Sequence, residues 1–147
     1  MIASYGLFGL FANVGLIFNI ALIFSIMAYF AATLTLPGIA GIVLTIGMAV
    51  DANVLIFERI KEEIKTNKSL YRAIELGYEK ALTSIIDANV TTFIAAVILF
   101  SLGSGPIKGF SVTLGIGIMT SVFTAVYLTR LLISIYFGFK KPKILNL

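Results

Sequence analysis

One carboxylate in this chain stands where carboxylates are costly. Asp51 follows fourteen uncharged, mostly apolar residues counted from Pro37, and a dense run of charge, Glu58-Arg59-Ile60-Lys61-Glu62-Glu63, begins seven residues later. Read as helix, the distance from Pro37 to Asp51 is about 21 Å, and Arg59 lies about 12 Å further on. The sum is close to the ~30 Å thickness of bilayer hydrocarbon. Asp51 is therefore placed inside a membrane, somewhat nearer the charged end, and an ionisable group there is a functional candidate by default. Dry surroundings disfavour the charged form of a carboxyl, whereas access to water allows it to ionise. The chemistry on offer is conformation-dependent proton binding. A hydrogen-bonded helix–helix contact without transport is the structural alternative.

The elements that must hold Asp51 are legible in the composition. Of 147 residues, 59% are hydrophobic and only 12% charged, and the mean hydropathy is +1.05. Soluble domains carry about 25% charged residues, so the expectation is an all-α integral membrane protein of one domain. Four spans are expected, at about residues 7–30, 37–57, 87–102 and 107–137, with residues 1–5 a stub of an earlier helix. Pro37 suits the first turn of its helix. Between the second and third spans, residues 58–86 form a cytoplasmic segment. There Leu70, Ala73, Ile74, Gly77, Ala81 and Ile85 follow helical periodicity, which predicts an amphipathic helix with Ser69 at its N-cap. Ser84-Ile85-Ile86-Asp87 has capping-box spacing and predicts the start of the third span.

The chain has no Cys and no His, which excludes disulfides, Cys or His nucleophiles and histidine proton relays. The net charge of +4 does not point to nucleic acid, because the basic residues cluster beside apolar spans. Residues 59–80 hold six Lys/Arg, residues 130–143 hold four more, and Lys108 completes the set. By the positive-inside rule the middle segment and the C-terminus are cytoplasmic, in agreement with four spans. No basic n-region precedes the first apolar stretch, so no cleavable signal peptide is read, and the chain reads as the inner part of a larger protein. No phosphate loop, nucleophile elbow or dinucleotide motif is present. No enzyme activity, cofactor or metal is expected.

Other residues could support Asp51. Gly47, Asp51, Leu55 and Glu58 fall on one helical face. Glu58, about 10 Å away, could pass protons inward or be a solvated end charge. Thr113, Gly117, Thr120 and Thr124 form a small, polar stripe on the fourth span, with Ser121 beside it. The stripe could supply hydroxyls to the Asp51 carboxyl or to water, or simply allow close helix packing. Asn13 and Asn19 could bond between helices. Asp87, in the first turn of its expected helix, suits a dipole-stabilised structural role. Asp51-Ala52-Asn53-Val54 recurs as Asp87-Ala88-Asn89-Val90, an echo too short to claim a repeat. The glycosylation patterns at Asn67 and Asn89 read as chance.

The stretch from Leu36 to Glu63, centred on Asp51-Ala52-Asn53-Val54-Leu55-Ile56-Phe57-Glu58-Arg59-Ile60-Lys61-Glu62-Glu63, resembles the SecD/SecF family of protein-export membrane proteins. The match continues through residues 73–78, Ser84 to Thr92, Gly105-Pro106-Ile107-Lys108-Gly109-Phe110 and Thr113 to Gly117. The family belongs to the resistance-nodulation-division superfamily, which implies the C-terminal part of a six-helix transmembrane bundle. The resemblance implies a SecD-type half working with a SecF half beside the Sec translocon of the bacterial inner membrane. There it would use the proton-motive force to help export unfolded polypeptides. It also implies that Asp51 takes part in proton conduction and that Asp87, Asn89 and Thr91 form a second motif. The first transmembrane helix, most of the second, and the outer domain that engages the exported chain would lie outside this sequence. A small-molecule proton antiporter of the same superfamily and a non-transporting scaffold for the translocon are the alternatives.

Overall fold

A computed structural model describes residues 2–66 and 69–140. Its elements are all helical: α1 (Ile2–Tyr29), α2 (Leu36–Thr66), α3 (Leu70–Leu102), α4 (Pro106–Phe123), a π-helical turn (Thr124–Leu128) and α5 (Thr129–Lys140). Four segments are long and apolar enough to cross a membrane, the fourth running through α4, the π turn and α5. Asn67, Lys68 and the basic residues beyond 140 lie outside the described residues.

Two boundaries differ from the sequence reading. The amphipathic segment and the third span are one continuous helix, α3, of 33 residues. Asp87 therefore sits mid-helix, and its carbonyl accepts a bond from the Thr91 hydroxyl (3.1 Å) instead of its carboxylate capping a start. Spacing alone cannot tell a capping box from Ser and Asp on adjacent turns of an uninterrupted helix. At about 50 Å, α3 exceeds the ~30 Å hydrocarbon thickness by about 20 Å. The second difference is in α1, which begins at Ile2 but bends at Gly6, where φ is +53°, a conformation that glycine adopts without a Cβ penalty. Ser69 occupies the N-cap of α3, but its side chain makes no capping bond.

The two middle helices, α2 and α4, run parallel and in close contact, with α1 on one side and α3 on the other. Glycine sets this approach: Gly41 faces Thr113, and a Cβ on Gly117 would lie 2.6 Å from Cβ of Thr45. This is the small-residue packing that lets membrane helices come together without a hydrophobic driving force. Further along, α1 packs against the π turn and the start of α5, with Gly15 against Thr129. Asn19 is fully buried on the same helix, and neither of its amide atoms has a hydrogen-bond partner among the described residues. The bond between helices considered for Asn19 is thus absent among them.

At the charged end the packing becomes aromatic. Phe8 meets Phe57 edge-on at 5.7 Å, and Ile60, Ile74, Tyr78 and Ile133 fill in around them. On α3, by contrast, Val90, Ile94, Val97 and Ile98 are exposed, as suits a lipid-facing span. Beyond the aromatic layer Lys80 pairs with Glu63, whose side chain is largely buried. Removing the lysine takes an ion-pair partner from a largely buried carboxylate, which costs more than breaking an exposed pair. Lys80→Ala is expected to destabilise the α2–α3 hairpin by about 1–2 kcal/mol. Arg59→Ala, which breaks the exposed Arg59–Glu62 pair, is expected to cost under about 0.5 kcal/mol. Denaturant titration of helical content in detergent compares the two.

Candidate functional site

Helix α2 carries two faces. Gly38, Gly41, Thr45, Ala49, Ala52, Asn53 and Ile56 are buried. Gly47, Asp51, Leu55 and Glu58 are exposed, and they are the four residues that helical spacing put on one side. Asp51 opens into a groove of about 210 Å³ between α2 and α3, walled by Met48 and Leu55 from its own helix and by Ser84, Ala88, Asn89 and Thr92 from α3. The groove thus joins the aspartate of the first Asp-Ala-Asn-Val segment to the asparagine of the second. Two antiparallel helices bring together residues 38 apart in sequence.

The polar groups facing Asp51 are partly committed. The Asn89 amide donates to the Ile85 carbonyl (2.7 Å) and the Thr92 hydroxyl to the Ala88 carbonyl (3.1 Å). Each bond uses a donor and leaves an oxygen able to accept. A proton-bearing carboxyl is the complementary partner for such oxygens.

The other predicted residues lie apart from this groove. Thr113, Thr120 and Thr124 are buried, and their hydroxyls donate to Gly109 and Phe110, to Gly117 and to Ser121 of their own helix. None of the three lines the groove, and the stripe packs on the glycine face of α2 instead. Asp87 is exposed and does not line the groove. Ser84 and Thr92 were not among the sequence candidates. Their signal was the small and polar series Ser84, Ala88, Thr92 at intervals of four, which shows as one face only if α3 is uninterrupted.

Glu58 has a partner that the sequence reading did not foresee. The Tyr5 hydroxyl donates to its carboxylate at 2.6 Å, and Lys61 approaches the same oxygen at 3.5 Å. The Tyr5 ring packs on Phe57 and beneath the Lys61 ammonium. The Tyr5 bond, foremost, holds the Glu58 carboxyl below its ordinary range against the opposing effect of desolvation, with the Lys61 and Lys65 charges adding to the lowering. A lowered carboxyl favours the folded state above the ordinary carboxylate range, and that contribution is lost as pH falls through the folded value. Tyr5→Phe is expected to move the Glu58 titration upward, read by carboxyl-carbon NMR in detergent.

Four helical segments long and apolar enough to cross a membrane, packed through glycine-mediated contacts, define the class: a multi-pass, all-α membrane protein. Comparison with known proteins then gives the family. The model for "Protein export membrane protein SecD/SecF, C-terminal" matches residues 5–138, and the chain belongs to that family. It is 60% identical to the protein translocase subunit SecD of Rhodobacter capsulatus over 97% of this chain and 26% of that protein. It is 57% identical to that of Desulfurispirillum indicum over 100% of this chain and 28% of that protein. The crystal structure of SecDF from Thermus thermophilus, described as a translocon-associated membrane protein, superposes with a TM-score of 0.90 at 44% identity, over 97% of this chain and 20% of that one. The chain thus spans about a quarter of the length of these SecD relatives.

Proposed function

We propose that this chain is the proton-responsive membrane part of a SecD-type subunit, acting in protein export with a SecF-type partner beside the Sec translocon of a bacterial inner membrane. Asp51 is its proton-binding group. The observation that carries the reading is the groove: the one carboxyl within the α2 span opens between two helices onto oxygens able to accept its proton. Protonation makes Asp51 neutral and able to donate to the α3 side. Deprotonation leaves a charge that calls for water or a cation on the open side of the groove, where a partner's helices would close it. Alternation between these states changes how α2 packs against α3. The outer domain of the full-length protein would convert that change into movement of the exported chain.

In this reading Glu58 is a solvated charge at the cytoplasmic end, tied down by Tyr5, and Asp87, Asn89 and Thr91 form the companion motif on α3, of which Asn89 reaches the groove. The positive-inside rule supports a cytoplasmic position for the Glu58 end and the C-terminus. The test is export by the full-length protein with its partner, with and without a proton gradient, comparing Asp51 with Asn at that position. Loss of the gradient-dependent part supports coupling through Asp51. Its retention would leave the chain a scaffold.

A further inference from the structure

A second polar cavity lies well away from Asp51, at the charged end between α3 and the last span. It encloses about 250 Å³ and is lined by Glu75, Tyr78, Glu79, Leu82, Val126 and Arg130. Tyr78 is 3% exposed, and its hydroxyl has no hydrogen-bond partner among the described residues. Such a buried hydroxyl calls for an occupant that can bond to it. Arg130 holds its guanidinium 5.8 Å from the centre of the Tyr78 ring, a cation–π distance. Among the described residues neither Glu75, Glu79 nor Arg130 takes part in an ion pair. The cavity therefore offers a cation, two carboxylates one helical turn apart and a phenol.

The depth of the cavity narrows the choice of occupant. Glu79 lies 23 residues from Leu102 along α3, and Arg130 lies 24 residues from Pro106 along the last span, each about 35 Å of rise. Both stand a few ångströms beyond ~30 Å of hydrocarbon, in the headgroup layer, with Leu82 and Val126 forming an apolar wall. An anionic headgroup would meet Arg130 but be repelled by two glutamates. A simple cation would meet the glutamates but be repelled by Arg130. A zwitterion with phosphate and ammonium a few bonds apart satisfies both. We propose that this cavity binds the headgroup of an aminophospholipid of the phosphatidylethanolamine type. Its phosphate is held by Arg130 and the Tyr78 hydroxyl, its ammonium by Glu75 and Glu79, and its acyl chains continue past Leu82 and Val126.

The test is native mass spectrometry of the full-length protein in detergent, titrated with phosphatidylethanolamine, phosphatidylglycerol and phosphatidylcholine of identical acyl chains. Phosphatidylethanolamine is expected to bind about tenfold more tightly than either, since only it brings ammonium N–H donors to the carboxylates. The double variant Glu75→Gln/Glu79→Gln is expected to reverse the order in favour of phosphatidylglycerol. Arg130→Gln should weaken both lipids about tenfold. Tyr78→Phe should weaken phosphatidylethanolamine about threefold, with helical content unchanged by circular dichroism. Equal binding of the three lipids by the parent protein, or an unchanged order in the double variant, overturns the assignment. Displacement of the lipid by millimolar glycerophosphoethanolamine would also overturn it, by making a soluble headgroup the occupant.

Discussion

Asp51→Asn is expected to abolish the gradient-dependent part of protein export in sealed inverted vesicles carrying the full-length protein and its partner, and to leave membrane insertion intact. Asparagine keeps the shape and polarity of the side chain, but it cannot gain or lose a proton. Asp51 is exposed within this chain, and the exchange removes no packed atom, so its stability cost should stay within about 0.5 kcal/mol. A loss of coupling without a loss of stability distinguishes a proton site from a structural contact. Asp87→Asn, outside the groove, is expected to keep most gradient-dependent export. Equal loss in both variants would argue against a special role for the groove.

The second large effect is on packing. Gly77 of α3 lies against the α2 backbone: an added Cβ would stand 2.9 Å from Cα and 3.0 Å from N of Ile60. Backbone cannot rotate aside as a side chain can, so Gly77→Ala must push the two helices apart. The expected cost is about 2–3 kcal/mol, at the upper end for overpacking. Gly47→Ala provides the contrast, since a Cβ there meets nothing within 4 Å. That change is expected to be neutral, or to stabilise the helix by up to about 1 kcal/mol. Denaturant titration of helical content in detergent reads both. Because Gly77 and the groove share the α2–α3 seam, Gly77→Ala should also impair export, with its stability loss marking the difference from Asp51→Asn.

Much of this architecture is a local property and could be read from residue order. Hydrophobicity adds along a segment without reference to partners, so four spans follow from composition and length. Helical spacing is equally local, and it placed Gly47, Asp51, Leu55 and Glu58 on one face before any neighbour was known. The family was visible in the contiguous residues around Asp51.

What depends on contact between distant segments was not legible. The continuity of α3 was hidden because Ser84 and Asp87 carry the same spacing whether they cap a helix or lie within one. The threonine stripe of the fourth span could be seen, but not which face of α2 it would meet; glycines at 38, 41 and 117 decide that, through approaches that exist only once the helices pack. The Tyr5–Glu58 bond joins residues 53 apart. Asp51 and Asn89 share one groove for the same reason: an antiparallel pair of helices, held close where Gly77 lies against Ile60, turns two separate sequence segments into its walls.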